Sequence, residues 1–205
     1  MHVNELWFIV HLVFMIDNKY DIILDAASQV FACEGFHKAK ISKIAEIAGI
    51  GAGTIYLYFK NKEAILEEIF LRSWSRIESK LLEMKKIKNM TPLQKITEIT
   101  GEIIELIYSN VSVAKILLYE YSFWNSNKKE KLSKTVENSQ KLIEELITDG
   151  IKANIFRKDM NPKDATMFII GGVWFWIASK SDDLLSYSKE ELTDTLFNYI
   201  IYGLK

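Results

Sequence analysis

The chain has 205 residues, of which 49% are hydrophobic and 26% charged, and its formal net charge is −1. This composition can build a buried core and excludes a disordered chain, while the near-zero charge excludes a protein that is polycationic throughout. The single cysteine, Cys33, rules out an internal disulfide framework, and we interpret it as a small buried residue. The three histidines lack ligand spacing, so we expect neither a metal nor a cofactor.

The first sixteen residues form an apolar N-terminal extension, whose segment Leu6–Ile16 is shorter than the about twenty residues of a membrane span. It has neither the basic start nor the small-residue cleavage site of a signal peptide. Because Met15 lies just before the patterned chain, we hypothesise that it is the biological start, which the intact mass of the native protein tests. The alternative is a short amphipathic anchor or packing arm, without stable membrane insertion.

The remaining chain shows hydrophobic residues at helical spacing, with no strand of consequence and no internal repeat. The predicted helices cover residues 17–33, 41–48, 52–58, 62–88, 91–108, 111–124, 130–153, 162–180 and 188–202. Residues 125–129 are polar and are predicted to form a loop. The sequence therefore predicts an all-α fold of about nine helices.

Several helix starts carry a capping signal. Asp17-Asn18 is predicted to cap the first helix, and Asn61 the fourth. Pro92 fits the first turn of the fifth helix, where its missing N–H is tolerated. Ser188 and Glu191 have the spacing of a capping box at the last helix.

The most specific signal lies in Ile41–Glu63, where two short predicted helices flank a turn at Gly49. The second helix opens at Gly51–Gly53 and is followed by the lysines of the KNK run at residues 60–62. Between residues 36 and 62 five lysines stand against one glutamate, a local charge of 5 − 1 = +4. This arrangement is typical of a helix-turn-helix whose second helix enters the major groove of DNA while basic flanks bind phosphate.

The side chains in this segment suggest distinct roles. Small residues at the start of the second helix allow the backbone to approach DNA, and Thr54 can reach a base edge or a thymine methyl. Replacing Lys62 by Ala is predicted to weaken binding to all sequences and to lower the salt slope by about 1. Ile50, Ile55 and Phe59 are expected to hold the core of the small domain. The candidate DNA-contacting residues are Lys40, Ser42, Lys43, Gly51, Ala52, Gly53, Thr54, Tyr56, Leu57, Tyr58, Lys60 and Lys62.

Alternative interpretations of the segment are weaker. The alternating glycines resemble a nucleotide-binding loop only superficially, because no strand precedes them and no Gly-Lys-Ser/Thr follows. No nucleophile–base pair or carboxylate pair points to an enzyme. A helical interaction protein with a degenerate helix-turn-helix remains an alternative, which a mobility-shift assay would separate from a DNA-binding protein.

Part of this segment resembles the DNA-binding signature of TetR-type transcriptional repressors. The matching stretches are Ile44-Ala45, Ala48–Ile50, Gly53–Tyr56 and Tyr58–Glu63. The preceding stretch, Ile23–Phe36, resembles the family's first helix. The resemblance implies a cytoplasmic, non-enzymatic regulator that binds a palindromic operator as a homodimer. It also implies an N-terminal DNA-binding domain, at residues 17–63, and a C-terminal domain for ligand binding and dimerisation, at residues 64–205.

The sequence departs from the family pattern in two places, at Lys40 and at the pair Gly51-Ala52. Lys40 stands where the family often has a threonine, and lysine cannot accept a capping bond although it can bind phosphate. Gly51-Ala52 replaces a pair that is usually polar. We therefore predict a modest share of direct base readout and a larger share of phosphate contact and DNA shape.

The C-terminal part contains many large apolar residues, most of which core and dimer packing would use. Some are expected to line a cavity for a hydrophobic effector. Gly171-Gly172 would allow close approach of a partner helix, so we predict a dimer through the last two helices. The candidate ligand-binding residues are Trp74, Glu105, Tyr119, Glu120, Phe123, Trp124, Met167 and Trp174.

The effector class stays open between two hypotheses. The run from Gly53 to Glu63, the helix around Glu120, the long helix ending near Gly150 and the Phe168–Gly172 stretch resemble acyl-CoA-responsive regulators of fatty-acid degradation. The rival is a lipophilic toxin that controls an efflux gene; a cationic one would need a buried carboxylate, for which the candidates are Glu102, Glu105 and Glu120. Either effector would act by a population shift that tilts the fourth helix.

Overall fold

The computed structural model describes residues 3–109, 111–119, 130–180 and 186–204, with the backbone alone for residues 3–18, 114, 117–119, 178 and 180. Within these ranges it contains nine α-helices and no strand, which confirms the predicted fold class. The helices are α1 Val3–Glu34, α2 Ile41–Ala48, α3 Ala52–Tyr58, α4 Lys62–Lys86, α5 Pro92–Ser109, α6 Val111–Tyr119, α7 Glu130–Lys152, α8 Pro162–Lys180 and α9 Lys189–Leu204. The predicted loop at residues 125–129 lies outside the described residues.

The chain divides into two compact units, Met1–Ile69 and Phe70–Lys205. The division falls inside α4, whereas the sequence placed the domain boundary at the start of that helix, at residues 63 and 64. Helix α4 therefore supplies residues to both units.

Two expectations about α1 are wrong. The helix begins at Val3 and not at Asp17-Asn18, because residues 3–16 contain no proline or glycine and nothing interrupts the helix before the polar pair. Cys33 is exposed, since it lies on the solvent face in the last turn of α1. No helix among the described residues has the length and apolar character needed to cross a membrane.

The core of the first unit lies between α1, α2 and α3. The inner face of α1 follows the predicted helical spacing and packs against α2. The buried residues of this core include Ile23, Ala26, Ala27, Val30 and Phe31 from α1, Ile44 and Ala45 from α2, Ile55 from α3, and Phe59, Ile65 and Leu66 after α3.

The predicted caps of α4 and α9 are confirmed. The Asn61 side-chain oxygen accepts a bond from the Ala64 amide at 2.9 Å. Ser188 accepts from the Glu191 amide at 3.1 Å, and the Glu191 carboxylate accepts from the Ser188 amide at 2.8 Å. These bonds pair backbone donors that a helix leaves open at its N-terminus.

In the second unit α5, α8 and α9 share a hydrophobic cluster. It comprises Ile104 and Ile107 from α5, Val173 and Ile177 from α8, and Leu192 and Leu196 from α9. Helix α7 ends in a tight turn in which the Gly150 carbonyl accepts bonds from Ile155 and Phe156, at 2.9 and 3.1 Å. Asn154 adopts a left-handed φ of 56° there, and the buried Phe156 ring lies over Gly150.

Candidate DNA interface and effector cavity

The turn between α2 and α3 has the geometry of a helix-turn-helix. Gly49 closes α2 with a left-handed φ of 66°, a conformation that a residue with a Cβ adopts only with strain. Its amide donates to the Glu46 carbonyl at 3.2 Å, and the Ile50 amide donates to the Ala45 carbonyl at 3.0 Å. These bonds satisfy the last carbonyls of α2 and set the direction in which α3 leaves.

Helix α3 presents small residues at its start and apolar ones further along. Gly51 and Gly53 are exposed, and a Cβ at Gly53 would meet nothing within 4 Å. Leu57 is 84% exposed and Tyr56 57% exposed, so both side chains point into solvent. Ala52 and Thr54, also predicted DNA contacts, are half-buried, whereas the fully buried Ile55 anchors the helix.

The exit of α3 is held by aromatic packing. The Tyr58 ring lies edge-on to the Tyr20 ring of α1, with the ring centroids 6.3 Å apart. Phe59 is buried and its ring lies 4.8 Å from that of Tyr20. Tyr58 therefore packs against Tyr20 while it stays half-exposed.

The predicted phosphate-binding residues of α2 and its flanks differ in their surroundings. Lys40 is exposed at the N-cap position and makes no side-chain capping bond, as expected for lysine. Ser42 and Lys60 are exposed. Lys43 donates to Glu46 at 2.7 Å, and this hydrogen bond and the carboxylate charge raise the pKa of Lys43. Lys43 thus forms an ion pair with Glu46 of its own helix.

Lys62 has contacts that the sequence did not predict. Its ammonium donates to the carbonyl oxygens of Phe36, His37 and Ala39, at 2.8, 2.9 and 3.3 Å. It also lies 4.7 Å from the centroid of the Phe36 ring. Since an ammonium has three N–H donors, all are used within the protein. The contacts of Lys62 therefore do not support its predicted role as a phosphate ligand.

The second unit contains an apolar cavity of about 70 Å³. Its lining residues are Trp74, Ile77, Ile96, Ile99, Thr100, Ile103, Ile143, Leu146, Ile147, Ile169, Ile170, Val173, Trp174 and Ile200. None of these described lining residues is charged. The Thr100 hydroxyl donates to the Ile96 carbonyl of its own helix at 2.8 Å, so its proton is already used.

Trp74 and Trp174, both predicted ligand residues, line this cavity, and their ring centroids lie 6.1 Å apart. The residues predicted from the sequence are mostly aromatic and do not include the isoleucines of α5 and α7. The signal was present in the spacing of Ile96, Ile99 and Ile103, which puts them on one helix face. That periodicity marks a buried face without distinguishing a cavity wall from a filled core.

Two predicted ligand residues do not line the cavity. Glu105 is 45% exposed and accepts a bond from Lys189 at 2.5 Å; this hydrogen bond and the Lys189 charge lower the pKa of Glu105. Met167 is 53% exposed. Glu102, the alternative carboxylate, pairs with Arg76 at 2.5 Å and is also absent from the lining. Glu105 and Met167 are therefore not part of the described cavity lining, and their role in ligand binding stays a prediction.

The remaining predicted ligand residues belong to the stretch after α6. Glu120, Phe123 and Trp124 lie outside the described residues, as does the side chain of Tyr119.

Helices α8 and α9 also carry an exposed apolar face. Phe168 is 83% exposed, Phe175 78%, Tyr199 68% and Tyr202 80%. Phe168, Phe175 and Tyr199 border a groove of about 670 Å³ between the two helices, and Gly172 also lines it. Exposed apolar surface of this kind usually marks an interaction site.

Comparisons with known proteins identify the family. A profile described as bacterial regulatory proteins, tetR family, matches residues 23–69, and one described as a tetracyclin repressor-like C-terminal domain matches residues 89–179. The fatty acid metabolism regulator protein of Bacillus subtilis (strain 168) is 26% identical over 186 residues, which cover 91% of this chain and 95% of that protein.

Two solved structures are similar over most of the chain. The fatty acid degradation regulator FadR from Bacillus halodurans has a TM-score of 0.78 and 27% identity, covering 91% of this chain and 96% of that one. FadR from Bacillus subtilis, in complex with stearoyl-CoA, has a TM-score of 0.74 and 25% identity, covering 91% and 100%. With both family profiles matched in order along its length, the chain belongs to the TetR family of DNA-binding bacterial regulatory proteins.

Proposed function

We propose that this chain is a homodimeric, cytoplasmic transcriptional repressor that leaves its operator when a long-chain acyl-CoA binds. The effector class is inferred from the cavity, whose fourteen lining residues in the described part of the chain include no charged side chain. Such a lining favours an aliphatic chain and disfavours a charged group, whose burial without a partner is costly. The similar FadR of Bacillus subtilis in complex with stearoyl-CoA supports the same class.

On the DNA side, we assign the major-groove contact to the exposed surface of α3. Gly51 and Gly53 let its backbone approach the bases, and Leu57 offers an apolar contact to thymine methyl groups. The exposed Lys40 and Lys60 flank this surface at the start of α2 and after α3, where they bind phosphate.

The described lining of the cavity offers no carboxylate to a cationic effector. Glu102 and Glu105 are engaged in ion pairs and do not belong to the lining, while Glu120, the third candidate, lies outside the described residues. A neutral lipophile would fit the same lining. The CoA headgroup is therefore proposed only from the similarity to the FadR of Bacillus subtilis in complex with stearoyl-CoA.

The proposed mechanism is a population shift. At about 70 Å³ the cavity is smaller than the roughly 300–1,000 Å³ of pockets that enclose whole ligands. A long acyl chain therefore binds a wider conformation and stabilises it. Because α4 provides Trp74 and Ile77 to the lining and is continuous with the first unit, a shift of this helix carries the change towards the DNA-binding helices.

The apolar face of α8 and α9 is the proposed dimer surface. Its exposed aromatic residues include Phe168 and Phe175. Gly171 and Gly172 have open space beside them, which would let the helices of two subunits approach closely. A two-fold dimer of this kind presents two α3 helices to a palindromic operator.

The test is release of the purified protein from the DNA upstream of its own gene. CoA, acetyl-CoA, acyl-CoAs of increasing length and the lipophilic cation tetraphenylphosphonium are compared by mobility shift. We expect release to need progressively less acyl-CoA as the chain lengthens, by up to about fourfold per methylene, since each buried methylene contributes about 0.8 kcal/mol. Release by the cation with no effect of long-chain acyl-CoA would contradict the proposal.

A further inference from the structure

The contacts of Lys62 join parts of the chain that are far apart in sequence. The Lys62 clamp consists of the Lys62 ammonium and the three carbonyl oxygens that it binds, those of Phe36, His37 and Ala39. These carbonyls lie in the connection between α1 and α2, whereas Lys62 is the first residue of α4. The clamp therefore closes the segment that contains α2, the turn and α3, because it ties the entrance of that segment to its exit.

The clamp also explains how a cation is tolerated at this position. The N-terminus of a helix carries partial positive charge, so a lysine in the first turn of α4 is unfavourably placed by itself. Three carbonyl dipoles and the face of the Phe36 ring, 4.7 Å away, supply compensating negative potential. Phe36 is itself buried, which fixes the acceptors beside it.

We propose that Lys62 is a positioning residue for operator binding, which fixes the recognition helix α3 through the Lys62 clamp without contacting phosphate. The nearby Lys60 is assigned to phosphate binding instead, because it is exposed at the end of the same segment. This inference rests on the proposed DNA-binding function, and it replaces the phosphate contact expected from the sequence.

The test compares three full-length proteins, wild type, K62M and K60M. Methionine keeps an unbranched apolar stem and removes the ammonium in both variants. We expect K62M to lower the thermal midpoint by about 2–4 °C or more, as removal of a structural hydrogen-bond network does in a protein of this size, and K60M to leave it unchanged. If K62M does not fold, K62R is used for the same comparison, since its planar guanidinium cannot reproduce the compact ammonium.

Salt-dependent DNA binding separates the two roles. K60M is expected to reduce the slope of log K against log salt by about 0.9 for each phosphate that its ammonium neutralises in the wild type. K62M is expected to bind several-fold more weakly at every salt concentration while keeping the wild-type slope. An unchanged midpoint, wild-type affinity or a slope lowered as in K60M would each overturn the inference. Failure of the wild-type protein to bind DNA would instead refute the proposed function, and the thermal comparison would still test the clamp.

Discussion

Leu57 is an exposed leucine on a helix otherwise anchored by buried Ile55. Because its side chain is 84% exposed, Leu57→Ala is expected to change the free energy of unfolding by no more than about 0.5 kcal/mol. Operator affinity is expected to fall about fivefold, or roughly 1 kcal/mol, because part of the leucine side chain is buried only against DNA. Fluorescence anisotropy with labelled operator and chemical denaturation measure the two effects.

The control for Leu57 is Leu82, a 42% exposed leucine of α4. Leu82→Ala should leave operator affinity unchanged. An operator with uracil in place of thymine lacks the methyl groups, and on it the cost of Leu57→Ala should disappear. If the cost persists on uracil DNA, Leu57 does not contact a thymine methyl.

The residue scale also shows where sequence reasoning failed. Lys62 fits a basic DNA-binding motif, and nothing in the local sequence reveals that three carbonyls from residues 36–39 surround its ammonium. Glu105 was a plausible buried carboxylate until the structure placed Lys189 beside it, 84 residues further along the chain. Both partners come from tertiary packing, which a local motif does not encode.

At the scale of elements, Gly150 is the glycine with the strictest packing requirement. A Cβ at this position would lie 2.0 Å from the Phe156 ring, closer than any real contact. Since Phe156 is buried, Gly150→Ala must displace it, and we expect a loss of about 1–3 kcal/mol in the free energy of unfolding. Urea denaturation measures this loss.

Gly101 in α5 provides the matched control. It also lies inside a helix, but a Cβ there would meet nothing within 4 Å. Gly101→Ala should therefore stabilise the protein by about 0.5–1 kcal/mol, the gain expected when alanine replaces glycine in a helix. Equal effects of the two substitutions would show that the ring does not constrain Gly150.

The sequence predicts individual helices and their caps better than it predicts tertiary contacts. The capping signals at Asn61 and at Ser188 with Glu191 predicted real hydrogen bonds, because caps are local and involve residues within three positions. The predicted start of α1 is wrong because a capping signal is only local. Asp17-Asn18 can cap a helix, but here the residues before this pair are already helical.

At the scale of the whole molecule, the exposed face of α8 and α9 decides the proposed assembly. Phe175→Glu places a charge on this face, where it would be buried without a partner in a dimer. We expect the variant to be monomeric in analytical ultracentrifugation and to lose operator affinity, since one α3 helix replaces two. Leu82→Glu, at a 42% exposed position of α4, should leave the dimer intact. A dimeric Phe175→Glu protein would place the interface elsewhere.

The family and the all-α architecture could be predicted because the helix-turn-helix motif is contiguous. The cavity could not be predicted from the sequence, because its walls come from five helices, α4, α5, α7, α8 and α9. The isoleucines of these walls also have the same spacing as ordinary core residues. The composition of these walls, and not a motif, is the basis of the proposed effector class.

The paired indoles of Trp74 and Trp174 have an optical consequence. Their rings lie 6.1 Å apart with planes inclined at 49°, close enough for the electronic transitions of the two chromophores to couple. Binding of the proposed acyl chain in this cavity is expected to alter that spacing and thereby to change the near-ultraviolet circular dichroism of the unlabelled protein. Circular dichroism would then report occupancy of the cavity without a label.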